Sequence, residues 1–329
     1  MPDAVFDAVI IGGGTKALFL AMYLIRYGGL SVGIFERCHE IGGCLSTEEV
    51  AAGGFRGNTH ANIILPWYYA PLWRDFADFW EYGARMDQYP AADGASFRRP
   101  GTCLVISSEK TDPSQEKSAC EIARFSPPDA ERWLKLWQLW NTDAVQRVQM
   151  DMIFNPAQFR NQPQVFERQM AIYGPLAQAG FEPDSLVLTA SALRAVREFW
   201  ESPELQYCLT RFALTAIMDV NEPGTGADAF GIAATLPTLG FAPGGTHQIA
   251  HAAHQILVQM GCRFFTHANV AQAIIENGKA IGIRLGDGSI VRARKIVVST
   301  LNPRQLCFDL IGPEYLSPRI RRRIELLES

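Results

Sequence analysis

Residues 8–17 read Ala-Val-Ile-Ile-Gly-Gly-Gly-Thr-Lys-Ala. Four apolar residues ending at three glycines predict a buried parallel strand, Ala8 to Ile11, that stops at a tight turn. Thr15 to Arg26 then carries Leu18, Met22 and Ile25 on one side and meets Gly28-Gly29, which predicts a helix with a stop signal. Ser31 to Phe35 is a second strand and ends at Glu36. The pattern is Gly12-x-Gly14-x-x-Ala17 inside a β-α-β unit. Gly12 allows the turn, Gly14 lets a diphosphate approach the backbone, and Ala17 lets the helix pack on the strand. The helix N-terminus turns unpaired N–H groups toward the phosphates. Glu36, at the end of the second strand, suits a ribose 2′-OH and would repel a 2′-phosphate.

That unit fits either NAD or FAD. Gly42-Gly43-Cys44-Leu45-Ser46-Thr47 follows Glu36 closely, where a simple NAD domain would enter its next helix. A second glycine pair there suggests a second close backbone approach to the same cofactor.

Working outward, residues 66–82 are rich in aromatics. Ser126 to about Met152 predicts one long helix, with Ser126 as cap, Pro127 at the first position and Asp129 in the first turn. The chain to about Leu236 reads as mostly helical, with breaks at Asn155-Pro156, Gly174-Pro175 and Glu222-Pro223-Gly224. A helix follows from about Thr246 to Met260. Val270 to Glu276 and Ala280 to Leu285 flank Asn277-Gly278, a hairpin signal. Asp287-Gly288 is another turn, Lys295 to Ser299 another buried strand, and Pro318 to Leu327 a last helix.

With these segments in hand, the chain resembles the phytoene desaturase family of FAD-dependent oxidoreductases, within the wider carotenoid desaturase and amine oxidase-type group. Ile10 to Ala17 with Glu36-Arg37 and Gly42-Gly43 carry the resemblance first. Gly54 to His60, Ala123 to Ala130, and the run Pro243-Gly244-Gly245-Thr246, Ala268-Asn269-Val270, Gly282-Ile283, Asp287-Gly288 and Val297-Val298-Ser299 carry the rest. The resemblance implies an α/β fold: a Rossmann-like FAD-binding domain over 1–65 and 241–329, interrupted by a mainly helical substrate domain over 66–240. It implies FAD as cofactor, with Gly12, Gly14, Thr15, Ala17, Glu36, Arg37, Gly43, Cys44, Val270 and Ser299 around it. The implied chemistry is loss of a hydride and a proton from a small apolar or alicyclic substrate to form C=C. His60 is the candidate proton carrier, a structural histidine being the alternative.

Three departures qualify this. Cys44 stands where the family usually has Arg. Asn58 and His60 stand where Asp and Gly often lie near the flavin. No Gly-rich segment follows Ser299, so the expectation is a split enzyme with a second polypeptide supplying the C-terminal part, a truncated chain being the alternative. An amine oxidase, a carotenoid-type isomerase and a non-catalytic carrier like the GDP-dissociation inhibitors are the alternatives.

Composition bounds the rest. The 329 residues are 48% hydrophobic, enough for a sizeable core, and a net charge of -4 gives no drive toward nucleic acid. The 7 cysteines are scattered without CxxC spacing, which predicts free thiols and no metal site. No signal-peptide pattern and no long apolar run is present, so the expected place is cytoplasmic, with peripheral contact to the inner face of a membrane left open. His247, His251 and His254 share a helix face and could bind metal, but nothing nearby completes a site. Trp133, Leu136, Trp137 and Trp140, and Trp73, Phe76 and Trp80, read as core stripes, with a substrate tunnel or a lipid-docking face as the alternatives. Arg319, Arg321, Arg322 and Arg323 read as a solvated helix face, with a subunit or anionic lipid contact as the alternative.

Overall fold

A computed structural model describes residues 4–98, 102–155, 162–178, 180, 189–215, 219–226 and 228–327. Along the chain run β1 (Ala4–Ile11), α1 (Thr15–Arg26), β2 (Val32–Phe35), β3 (Thr47–Ala52), β4 (Phe55–Asn58), α2 (Pro66–Asp75), α3 (Asp78–Glu81), β5 (Ala91–Ser96) and β6 (Cys103–Ser107). Then come α4 (Glu116–Ala123), α5 (Pro127–Trp140), α6 (Asp143–Phe154), α7 (Gln162–Gln178), α8 (Ala192–Phe199), α9 (Pro203–Thr215) and α10 (Asp228–Thr235). The chain closes with α11 (His247–Gln259), β7 (Arg263–Phe265), β8 (Val270–Glu276), β9 (Lys279–Leu285), β10 (Ile290–Ser299), a π-helical turn Gln305–Ile311 and α12 (Pro318–Glu325). The fold class is α/β with a Rossmann-like unit.

Two compact units are present. One takes Met1–Ile64, Tyr69–Met86 and Phe241–Ser329; the other takes Leu65–Tyr68 and Asp87–Gly240. Residues 69–86, grouped with the helical insertion on sequence grounds, pack in the first unit. Their apolar side chains Tyr69, Leu72, Phe76 and Phe79 join the core that contains Leu18, Phe19 and Met22 of α1.

In the first unit a six-stranded sheet has the order β7-β2-β1-β10-β9-β8. β7, β2, β1 and β10 are parallel; β9 and β8 return antiparallel. Ile11 at the end of β1 pairs Phe35 of β2 on one side and Ser299 of β10 on the other, so the carboxyl ends of these strands finish together. Both faces are covered, which is why β1 and β2 read as unbroken apolar runs. Ala8, Ile10 and Ile34 face α1 and α11, packing with Leu18, Met22, Ile249 and Ile256. Val9, Ile11 and Phe35 face the other way, onto Val270, Ile283, Leu285 and Leu310. Phe35 stacks on Phe265 with ring centres 4.6 Å apart.

β10 is longer than expected. It pairs with β1 along its length and with β9 only over Ile290–Arg292. From Ala293 to Ser299 one edge of β10 has no strand beside it among the described residues.

The second unit is helical apart from the β5–β6 hairpin. Ser126 caps α5, accepting from the Asp129 N–H, as expected. The single helix predicted over 126–152 is two: α5 ends at Trp140 and α6 starts after Thr142. Asn141 donates back to the Trp137 carbonyl at 2.9 Å, and Thr142 caps α6. Two polar side chains that satisfy helix ends outcompete continuation. Pro175 lies inside α7, not at a break; its missing N–H removes one hydrogen bond without ending the helix. Pro156 lies outside the described residues, and Glu222-Pro223-Gly224 is a turn as expected.

Trp133 and Trp137 are buried, and their indole N–H groups donate to Gln115 Oε1 and the Pro113 carbonyl at 3.3 and 2.9 Å. The core reading of that stripe therefore holds at these two positions. In the other stripe Phe76 is fully buried and Trp80 is exposed.

Asp129 has no solvent exposure. Its carboxylate accepts the N–H groups of Glu201 at 2.9 and 3.1 Å and Ser202 at 2.8 Å, and Arg132 lies 3.4 Å away. One side chain thus ties the start of α5 to the connection between α8 and α9. Removing it leaves two N–H groups without acceptors. Asp129→Ala should lower unfolding stability by about 2–4 kcal/mol, read by urea titration of tryptophan fluorescence; a change under about 0.5 kcal/mol, the usual size for a surface site, would overturn the assignment.

Candidate dinucleotide site

Where β1, β2 and β10 end, the first unit holds a cavity of about 430 Å³. Its walls are built by three local devices. The first is the glycine turn after β1. Gly12 has φ +90°, and a Cβ there would sit 2.8 Å from Thr300 Oγ1. No side chain caps α1 at Gly14, and its first turn has no acidic residue, so the positive end of the helix has no built-in anion.

The second device is Glu36. One carboxylate oxygen accepts the Gly13 N–H at 2.6 Å and the other accepts the Cys38 N–H at 2.8 Å. Its backbone is held as well: its N–H donates to Phe265, and its carbonyl accepts from Ala268. Each oxygen keeps a lone pair for a further donor such as a ribose hydroxyl.

The third device is the second glycine pair. Gly42 donates its N–H to the Gly13 carbonyl at 2.9 Å and forms a parallel bridge with Gly14. A Cβ on Gly14 would meet nothing nearer than Gly43 Cα at 3.9 Å, and one on Gly43 would come within 3.1 Å of Gly14 Cα. The two backbones are thus packed directly against each other at the cavity wall, with no side chain between them.

Of the residues singled out from sequence, Gly12, Gly14, Thr15, Glu36, Arg37, Gly43, Cys44 and Val270 line the cavity. Ala17 does not; it is fully buried in the packing of α1 on the sheet. Ser299 does not either; its hydroxyl accepts the Leu301 N–H at 3.2 Å, and Thr300 and Leu301 line the wall beside it. His60 stands outside the lining, exposed, with Nδ1 3.0 Å from Thr59 Oγ1. Lys16, Cys38, Asn269 and Gln305 line the cavity and were missed. Lys16 could have been found, since it is the second residue of α1; Gln305 follows a turn whose course no local pattern announces.

The loop carrying Gly43 and Cys44 is clamped from behind. His247 Nδ1 lies 2.9 Å from the Leu45 carbonyl, and the His247 N–H donates to Thr47 Oγ1 at 3.1 Å. Asn58 Oδ1 accepts from Thr47 Oγ1 at 2.8 Å, from the Thr246 N–H at 3.0 Å and from Thr246 Oγ1 at 3.2 Å. The amide oxygen of Asn58 is therefore committed to scaffolding.

His247 is engaged with the loop, and His254 packs edge-on against Phe264. Burial and the neighbouring His251 and His247 lower the His254 pKa. No group of three or more metal-binding side chains lies together among the described residues. The seven cysteines are all unpaired; burial pushes the Cys208 thiol up to about 11 and the Cys262 thiol up to about 12. No helix is long and apolar enough to cross a membrane among the described residues.

A strand–glycine turn–helix, a carboxylate ending the next strand and a crevice at the carboxyl edge of a parallel sheet are the features of a Rossmann-like fold. Comparison with known proteins agrees. Residues 10–80 match the family described as NAD(P)-binding Rossmann-like domain. The chain is 27% identical to a subunit of limonene dehydrogenase from Castellaniella defragrans, over 95% of its length and 55% of that protein's. It is 23% identical to the chloroplastic prolycopene isomerase of Daucus carota, over 89% of this chain and 45% of that one. Among solved structures, putrescine oxidase bound to putrescine superposes with TM-score 0.57 at 16% identity, over 98% of this chain and 64% of that one. The resemblance is borne out by the limonene dehydrogenase and prolycopene isomerase relatives, and putrescine oxidase shares the fold. The chain spans about half the length of the curated relatives it matches.

The Asn58 arrangement gives a direct test. Asn58→Leu removes the acceptor from three donors and should cost about 2–3 kcal/mol, whereas Asn58→Asp keeps an acceptor oxygen and should retain most of the stability. Thermal unfolding of both variants reads this; equal losses would count against the acceptor role.

Proposed function

We propose that this chain is the FAD-binding part of a flavin-dependent oxidoreductase that desaturates a small apolar or alicyclic substrate. The observation that carries the reading is the second glycine pair, with Gly42 bonded to Gly13 and bridged to Gly14, and Gly43 lining the same cavity as Glu36. Gly12, Gly14 and Thr15 would hold the diphosphate, with Gly43 and Cys44 facing them. Glu36 and Arg37 would hold the adenosine ribose, and Val270 would pass its backbone along the adenine. Ala17 and Ser299 act at one remove, through helix packing and the turn after β10. When bound, FAD supplies the two-electron acceptor that lets a substrate C–C bond become C=C. The chain's own part is to position the cofactor, and His60 is the residue we assign to carrying the proton.

Similarity to the limonene dehydrogenase chain supports an alicyclic hydrocarbon as the substrate class and a multi-subunit enzyme. The open edge of β10 from Ala293 to Ser299 supports a second polypeptide that adds a strand there. Exposed Ile296 is on this stretch. Similarity to prolycopene isomerase favours one second reading, isomerisation without net oxidation; product mass separates the two, because isomerisation leaves it unchanged. The seven unpaired cysteines suit a reducing cytoplasm. The exposed arginines of α12 suit contact with a subunit or an anionic membrane face.

Two experiments test this. Titration with FAD should give a bound flavin spectrum, and Glu36→Ala should weaken affinity by roughly 1.5–3 kcal/mol, the worth of hydrogen bonds to a charged group. No FAD uptake by the wild-type chain would remove the reading. Tagged chain isolated from its native host should bring down a second polypeptide in fixed ratio, and Ile296→Lys should release that polypeptide; recovery of a flavin-loaded single chain would remove the split-enzyme part alone.

A further inference from the structure

Three charged side chains line the dinucleotide cavity: Lys16, Glu36 and Arg37. Glu36 is tied to two backbone N–H groups. Lys16 and Arg37 belong to no ion pair among the described residues; other surface cations, such as Arg292 with Glu276 and Arg321 with Glu325, do. The two free cations leave from different elements, Lys16 from the first turn of α1 beside Gly14 and Arg37 from the end of β2 beside Glu36.

Lys16 is where a helix by itself would not put a cation. Positive charge in the first turn opposes the macrodipole, and acidic residues are favoured there. α1 has none. The wall facing Gly14 offers no compensation, because Gly43 and Cys44 carry no charge. An exposed lysine that breaks the local rule, lines a cavity and lacks a carboxylate is matched to an anion that arrives from outside.

We propose that Lys16 supplies the positive charge that neutralises the diphosphate of the bound dinucleotide. This rests on the FAD reading above and deepens it. The backbone at Gly12 and Gly14 admits the phosphates and the helix end contributes about half a unit of charge, whereas a diphosphate diester carries one negative charge on each phosphate. Lys16 makes up the difference from the same side of the cavity, and its flexible stem lets the ammonium follow the phosphate oxygens.

The test is a binding titration of the full chain with FAD, ADP and adenosine for the wild type, Lys16→Ala and Lys16→Arg, at low and high salt. Lys16→Ala should bind FAD and ADP about tenfold more weakly, the scale of a lost charge-assisted contact. It should bind adenosine as the wild type does. Lys16→Arg should bind close to wild type, and FAD affinity in Lys16→Ala should depend less on salt. Wild-type FAD binding with unchanged FAD and ADP affinity in Lys16→Ala overturns the role of Lys16 and leaves the FAD reading standing. An equal loss for adenosine also overturns it, since a diphosphate contact cannot affect that ligand. A wild type that binds neither FAD nor ADP brings down the FAD reading, and Lys16's role with it.

Discussion

The Glu36 carboxylate joins the glycine turn after β1 to the residues leaving β2, through the Gly13 and Cys38 N–H groups. Both ends of the crevice depend on that bridge. Gly13 has no side chain to give, and a Cβ there would press on Ile41 and on Glu36 itself. The turn therefore follows the carboxylate, and the carboxylate follows β2, which is pinned between β1 and β7. A polar group shared by two backbone donors at a sheet edge is well satisfied, and it still has acceptor capacity facing the cavity. On the proposed reading, structural and binding demands meet on one residue without conflict.

The second glycine pair completes the arrangement from the far side. Gly42 bonds to Gly13, and the loop behind it is held by His247, Thr47 and Asn58. These contacts rigidify the loop that carries Gly43 and Cys44, and a pre-shaped crevice loses less entropy when it binds. The histidines of α11 thus find ordinary employment. His247 positions a loop, His254 packs on the Phe264 ring, and His251 between them is exposed.

The β-α-β unit was legible because three local signals agree: an apolar run with period one, a glycine stop and an amphipathic helix. The hairpin at Asn277-Gly278 was legible for the same reason, since Asn277 and Gly278 both take positive φ. The division of residues 126–152 was not. Asn141 and Thr142 are tolerable inside a helix, and only their hydrogen bonds to the ends of α5 and α6 reveal the break. Asp129 read as a first-turn charge, yet its bonds to Glu201 and Ser202 cross more than seventy residues of sequence. In the site, Glu36 and the glycines are set by local geometry and were readable. Ala17 and Ser299 lie outside the cavity lining, because a motif records which positions are constrained and not whether the constraint is contact or packing.

What the crevice lacks bears on how the chemistry must be divided. Its walls are backbone, one carboxylate already bridged, two cations, two thiols, and the hydroxyls and amides of Thr15, Thr300, Asn269 and Gln305. Such a set binds and orients, and it offers no acid–base pair to move protons at a reacting carbon. On the proposed reading the electron transfer belongs to the cofactor, and the proton is carried by a group outside this lining, the role given above to His60. Within this unit the open stretch of β10 is the natural place for more structure to join, because it borders the cavity wall at Thr300 and Leu301. A strand added along Ala293–Ser299 would extend the sheet and bring its own carboxyl or amino end to the same rim. On the proposed reading, this open edge is where a second polypeptide would join the sheet.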